Sequence, residues 1–201
     1  YSAKRTVKGG VIAEIGGDGD PILTMAHVDT LGAVVAEIKS NGRLRLSPVG
    51  GFNANNAEAH NCRVYTYDGQ IYEGTIQLAD ASLHVNKEYS TTQRTFQSVE
   101  VVLDEPVTSK DDVKALGITN GCFVCADPNL VVTNSGYIKS RFLDDKLSAA
   151  ILLGYAKYIR ENNITPLRKV YQHMTVFEEV GHGACASIPE DVTELLSVDM
   201  G

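Results

Sequence analysis

Residues 21–29 read Pro-Ile-Leu-Thr-Met-Ala-His-Val-Asp, a short apolar run that delivers His27 and, two positions on, Asp29. A histidine and a carboxylate at the carboxyl end of a strand suggest the crevice above an open α/β sheet. Side chains alternate along an extended chain, so Asp29 shares a strand face with His27. Its carboxylate would there hold the imidazole in one tautomer and orientation. Three more patches follow the same plan, each at the end of an apolar run: Leu143-Asp144-Asp145-Lys146, Glu178-Glu179-Val180-Gly181 and Val198-Asp199-Met200-Gly201. One imidazole among several carboxylates is a donor mixture that borderline divalent metals accept. The pattern points to a metal-dependent hydrolase.

Upstream of this stretch, residues 10–15 read as a strand closed by Gly16-Gly17-Asp18-Gly19-Asp20. From about Val34 the style changes. Alternating strands surround Ser40-Asn41-Gly42 and Tyr67-Asp68-Gly69, both signals of tight hairpins. Residues 99–103 and 122–125 continue the all-β character, and Ser109 before Lys110-Asp111-Asp112-Val113 marks a short N-capped helix. Near Tyr137 the style changes again. Leu147, Ala150, Ile151, Gly154, Tyr155, Tyr158 and Ile159 recur at helical spacing and predict a helix with that face buried. Residues 170–177 alternate as a strand, small residues after Gly181 predict a short helix, and residues 195–198 predict another strand. The expected fold class is α/β, with residues 1–34 and 138–201 forming one domain. An all-β, barrel-like insertion over residues 35–137 interrupts it.

Several candidate residues also have a plain structural explanation. His27 alone would pass for a hydrogen-bonded strand-end histidine, and pairing with Asp29 raises its specificity. Asp144 and Asp145 suit a helix N-terminus, where capping and the macrodipole favour acids. That explains one aspartate, so Asp145 is read as structural and Asp144 as chemical. Glu178 and Glu179 resist such an account, because adjacent carboxylates after an apolar strand are costly to bury without a cation. A turn at Val180-Gly181 would let both reach one site, one as a ligand and the other as general base. Asp199 reads either as a solvated residue at the end of a strand or as a ligand from a further segment. His60, His84 and His173 are read as structural or surface residues, while His182 is a candidate for the pocket lining.

The net charge of -7 argues against a nucleic-acid or anionic-membrane partner. Nothing approaches the roughly 20 apolar residues of a membrane span. Tyr1-Ser2-Ala3-Lys4-Arg5 lacks the apolar core of a signal peptide. Cys122-Phe123-Val124-Cys125 matches C-x-x-C, but on a strand those thiols face opposite ways. They are expected to be buried structural thiols, which favours a cytoplasmic location.

In these motifs the chain resembles the dinuclear metalloaminopeptidases that include glutamyl, deblocking and tetrahedral aminopeptidases. Ala26-His27-Val28-Asp29, Arg141-Phe142-Leu143-Asp144-Asp145-Lys146, Phe177-Glu178-Glu179-Val180-Gly181 and Ser197-Val198-Asp199 match that family's motifs in order. The resemblance implies a zinc-peptidase-like mixed sheet with flanking helices, the barrel-like insertion serving oligomerisation, from dimers to dodecamers. It also implies two divalent ions per subunit, zinc first, with cobalt and manganese as alternatives. His27, bridging Asp144 and Asp199 would bind one ion. Asp144 and Glu179 would bind the other, with Glu178 as general base and Asp29 orienting His27. The implied reaction removes the N-terminal residue of peptides. Family members are longer, and no residue here matches the last histidine ligand of the second ion, so the chain resembles a partial member. Two alternatives are a related dinuclear zinc aminoacylase or carboxypeptidase-like hydrolase and a non-catalytic truncated assembly module. A glycosidase ranks last, since its paired carboxylates sit about 5 Å or more apart across a sugar.

Overall fold

A computed structural model describes residues 1–200, so Gly201, the end of the last acidic patch, lies outside the described residues. The chain divides into two compact units, Tyr1–Thr30 with Asn129–Gly201 and, inserted between them, Leu31–Pro128. The inserted unit begins four residues before the expected 35 and ends nine before the expected 137. Leu31 packs against the barrel core, and residues 129–137 group with the outer unit.

The outer unit opens with β1 (Ser2–Arg5), β2 (Val11–Gly16) and β3 (Gly19–His27). The β2–β3 turn leaves no room for a side chain at Gly17. Its φ is +87°, and a Cβ there would lie 1.8 Å from the Arg168 carbonyl oxygen.

The inserted unit comprises β4 (Gly32–Ile38), β5 (Leu44–Val49), β6 (His60–Tyr65), β7 (Ile71–Leu78), β8 (Val99–Leu103), α1 (Lys110–Ala115) and β9 (Phe123–Ala126). These strands close a barrel in the order β4-β5-β8-β7-β6-β9. The two expected turn sequences join β4 to β5 and β6 to β7. Inward-facing Leu44, Leu46, Val64, Ile76, Val101 and Val124 fill the barrel, and Val113 of α1 joins that core. Ser109 and Asp112 form a reciprocal capping box that starts α1. Glu100 is buried, and its carboxylate is met by Lys39 at 2.6 Å and Arg43 at 2.5 Å. Removing both cations would strand a buried charge. Leu44 is fully buried, so Leu44→Ala should cost about 2–5 kcal/mol of unfolding free energy, read from urea unfolding curves.

The chain returns to the outer unit through a small hairpin, β10 (Val131–Val132) and β11 (Ile138–Lys139). It then forms α2 (Leu143–Glu161), β12 (Arg168–Thr175) and β13 (Glu194–Ser197). The sheet order is β1-β2-β12-β3-β13, with β12 and β13 parallel to β3 and β2 antiparallel to β12. The result is a mixed sheet in which the carboxyl ends of β3, β12 and β13 lie side by side. Thr175 of β12 pairs with His27 of β3, and Val28 donates to the Thr175 carbonyl at 3.0 Å.

Helix α2 covers one sheet face, but with a different side from the one its large apolar residues predict. Ser148, Ala149, Leu152, Ala156 and Ile159 are buried, whereas Leu147, Ala150, Ile151, Gly154, Tyr155 and Tyr158 are exposed. Small residues on the sheet side let the helix approach the strands closely, and periodicity weighted by side-chain size selects the opposite side. The short helix expected after Gly181 is also absent, and residues 181–193 run as turns and extended chain. Cys62 and Cys122 are buried, and burial pushes the Cys62 thiol up to about 12. Cys125 lies on the opposite strand face from Cys122 and is half-buried, and Cys185 is exposed, so the thiols are not uniformly buried.

Candidate metal centre

His27 closes β3 with only 2 % of its surface exposed. Its Nδ1 lies 3.2 Å from the Asp29 carbonyl oxygen. A carbonyl can only accept, so Nδ1 carries a proton, and Nε2 is the ring nitrogen left to face the site. Nε2 donates to Asp144 Oδ1 at 3.0 Å, and Glu178 Oε2 stands 3.6 Å away. Burial alone would depress the imidazole pKa. The Asp29 carbonyl, the Asp144 carboxylate and the charges of Asp29 and Glu178 outweigh it and leave the pKa raised.

Asp29 acts differently from the sequence expectation. Its backbone carbonyl makes the hydrogen bond to His27, while its carboxylate Oδ1 stands 3.6 Å from Nδ1. The carboxylate instead accepts the backbone N–H groups of Glu178 at 3.3 Å and Glu179 at 3.1 Å. One residue thereby ties the end of β3 to the segment after β12.

That segment bends as the Val180-Gly181 dipeptide suggested, although the bend begins earlier. Phe177 takes a left-handed φ of 68°, Glu178–Val180 form a single 3₁₀ turn, and Gly181 leaves it at φ 82°. Adjacent glutamates therefore both point toward His27 instead of to opposite faces of a strand. Ligand atoms of His27, Asp144 and Glu179 lie within 4.8 Å of one another, and so do those of His27, Asp145 and Asp199. Burial, then the charge of Asp144, raises the Glu179 pKa, with the charges of Glu178 and Asp29 adding to it and His27 opposing.

Asp145, read from sequence as structural, enters the site from behind. Asp144 and Asp145 have non-helical backbone angles, so the regular helix begins after them. Asp145 is 1 % exposed, and its Oδ2 accepts the His27 backbone N–H at 3.0 Å. Its Oδ1 has no hydrogen-bond partner among the described residues. A buried, unpaired carboxylate oxygen is costly. Crowded carboxylates around one imidazole, one with an orphaned oxygen, form a donor set that fits divalent cations. The oxygen-rich mixture with one nitrogen suits zinc, cobalt or manganese chemically.

A cavity of about 200 Å³ opens beside these groups, lined by His27, Thr175, Glu178, Gly183, Ala184 and Asp199 among others. His182 is exposed and does not line it, since its two successors take that place. No local signal marked Thr175 or Ala184, and only the directly adjacent Asp144 pointed to Asp145. His60 is half-buried, His84 exposed and His173 buried, all outside this cavity.

Residues 9–201 match the M42 glutamyl aminopeptidase family. The chain is 42 % identical over 199 residues to the putative aminopeptidase YhfE of Bacillus subtilis, covering 98 % of this chain and 58 % of that protein. Among solved structures it is similar to the aminopeptidase APDkam598 of the archaeon Desulfurococcus kamchatkensis. The TM-score is 0.87 at 24 % identity, covering 100 % of this chain and 54 % of that one. It is also similar to the Pyrococcus horikoshii TET1 peptidase, which can assemble into a tetrahedron or a large octahedral shell. There the TM-score is 0.82 at 26 % identity, over 98 % of this chain and 58 % of that one. The chain thus spans between half and three fifths of the length of these relatives. Among the described residues no helix is long and apolar enough to cross a membrane.

Proposed function

The chain belongs to the M42 glutamyl aminopeptidase family, and from that premise we propose that its activity is metal-dependent removal of the N-terminal residue from peptides. The observation that carries this reading is the His27 imidazole. Its Nδ1 is held by the Asp29 carbonyl and its Nε2 faces Asp144, at the mouth of a carboxylate-lined cavity.

In this reading His27, Asp144 and Asp199 hold one divalent ion, and Asp144 with Glu179 hold a second. Zinc is the first candidate, then cobalt or manganese. Such ions supply Lewis-acid activation of water and of the scissile carbonyl. The protein's own groups do the rest. Glu178, within reach of His27 and the cavity, takes a proton from the attacking water and returns it to the leaving amine. Asp29 keeps the Glu178 and Glu179 backbone in place relative to His27. Asp145 fixes the end of β3 through the His27 N–H. The inserted barrel is assigned to assembly into homo-oligomers, from dimers up to dodecamers, and the location to the cytoplasm.

Hydrolysis of aminoacyl p-nitroanilides by the whole protein tests the proposal. Free-amine substrates should be cleaved and N-acetylated ones spared. EDTA should abolish the activity, and zinc, cobalt or manganese should restore it. Cleavage indifferent to chelation would overturn the metal assignment, and equal cleavage of acetylated substrates the aminopeptidase one.

A pH dependence follows from the raised imidazole pKa. An ion at Nε2 must displace a proton that the surrounding carboxylates hold to higher pH than usual. Metal affinity should therefore fall as pH drops through that raised value, and uptake near neutrality should release protons. Titration calorimetry in two buffers of different ionisation enthalpy reads this directly. Uptake with no proton release would remove His27 from the ligands.

A further inference from the structure

We propose that Lys8 is a positioning residue that clips the wall of the cavity against Glu178, an inference that rests on the peptidase reading above. Lys8 sits in the turn between β1 and β2, in a segment with no acidic or histidine motif. That turn is closed by its own backbone, with Thr6 donating to Gly10 at 2.8 Å and Gly9 donating to Thr6 at 3.0 Å. The half-buried Lys8 ammonium reaches across to the segment that follows the two glutamates. It donates to the His182 carbonyl at 2.9 Å and the Gly183 carbonyl at 3.3 Å, and it lies 3.1 Å from Cys185 Sγ. It also stands 6.0 Å from the centre of the Phe177 ring. An ammonium has three donors, and here all three serve one stretch of four residues.

That stretch has no helix or strand of its own to hold it. His182 and Gly183 hang their backbone N–H groups on the Phe177 carbonyl at 2.8 and 3.1 Å, and Cys185 donates to the His182 carbonyl from both N and Sγ. These bonds curl the segment on itself, whereas Lys8 anchors it to a different part of the sheet. What the segment builds is the cavity wall. Gly183 and Ala184 line the space shared with His27, Glu178 and Asp199. A Cβ at Gly183 would sit 3.8–3.9 Å from the Cα, Cβ and Cγ of Glu178. Lys8 therefore acts on the reacting groups through the backbone of residues 182–185.

The test compares Lys8→Met and Lys8→Arg with the wild type in the whole, metal-loaded protein. Amide hydrogen exchange over residues 181–187 should become at least about tenfold faster in Lys8→Met, with β3 and the barrel unchanged as internal controls. Metal content should stay the same. The loss in kcat/KM should be about 10- to 100-fold and lie in kcat more than KM, because the wall backs Glu178. Lys8→Arg should recover most of both, since a guanidinium can also donate to the carbonyls. Unchanged exchange in an active Lys8→Met protein would overturn the clip, as would a kinetic loss that arginine fails to rescue. A wild type without chelator-sensitive peptidase activity would instead overturn the peptidase reading, and with it the catalytic meaning of the clip.

Discussion

Glu178→Gln is expected to lower kcat by about 10²- to 10⁴-fold while leaving the metal content of the protein unchanged. Glutamine keeps the size of the side chain and removes its capacity to take a proton. The carboxylate stands 3.6 Å from His27 Nε2 and lines the cavity, close enough to meet a water at the reacting centre. Its backbone position depends on the Asp29 carboxylate, which is untouched by the change. Elemental analysis beside steady-state kinetics separates two roles that neighbouring glutamates could exchange. Loss of metal from Glu178→Gln would make it a ligand. Retention of metal with loss of turnover keeps it as the base. The companion Glu179→Gln should do the reverse and weaken metal binding, because Glu179 groups with His27 and Asp144 within 4.8 Å.

Asp144→Asn should strip the protein of metal. Asp144 Oδ1 is the carboxylate atom nearest His27 Nε2, at 3.0 Å, and in the proposal Asp144 would help to hold both ions. A binding partner of the folded state stabilises it by mass action. Adding zinc to metal-free wild type should therefore raise Tm in proportion to the logarithm of its concentration. In Asp144→Asn that rise should disappear. The metal-free variant should not be less stable than metal-free wild type, because one charge has left a crowd of carboxylates. A metal-free variant that melts well below the metal-free wild type would give Asp144 a structural role and sink the assignment. A full zinc-induced rise in Tm would remove it from the ligands.

The acidic and histidine motifs were legible because each sits in a local context with its own physics. An apolar run that ends in a charged residue marks a strand end, and strand ends in an open α/β sheet converge. His27, Glu178, Glu179 and Asp199 are singled out in this way and Asp144 as an extra acid at a helix start, and the structure brings all five together around His27. The hairpins of the barrel were equally legible, because Gly42 and Gly69, each after Asn or Asp, supply the positive φ that tight turns need.

Other features depend on contacts between distant residues. The buried face of α2 was misread because helical periodicity reports where the large apolar residues lie. The separation between helix and sheet decides instead which side is small enough to pack, and Ser148, Ala149 and Ala156 meet that requirement. Asp145 reads as a helix-start residue until β3, 118 positions earlier, sets the His27 N–H against it. Which oxygen of Asp29 holds the imidazole depends on where the glutamate segment, about 150 residues on, claims the carboxylate. The sequence by itself thus determined the residue types of the proposed centre, their order and the change from α/β to all-β style, because these are written in short-range patterns of polarity and turn chemistry. Only the tertiary structure decided which atoms meet, which face is buried and that Lys8 reaches Cys185, 177 residues away. Those contacts follow from strand order, which no local periodicity encodes.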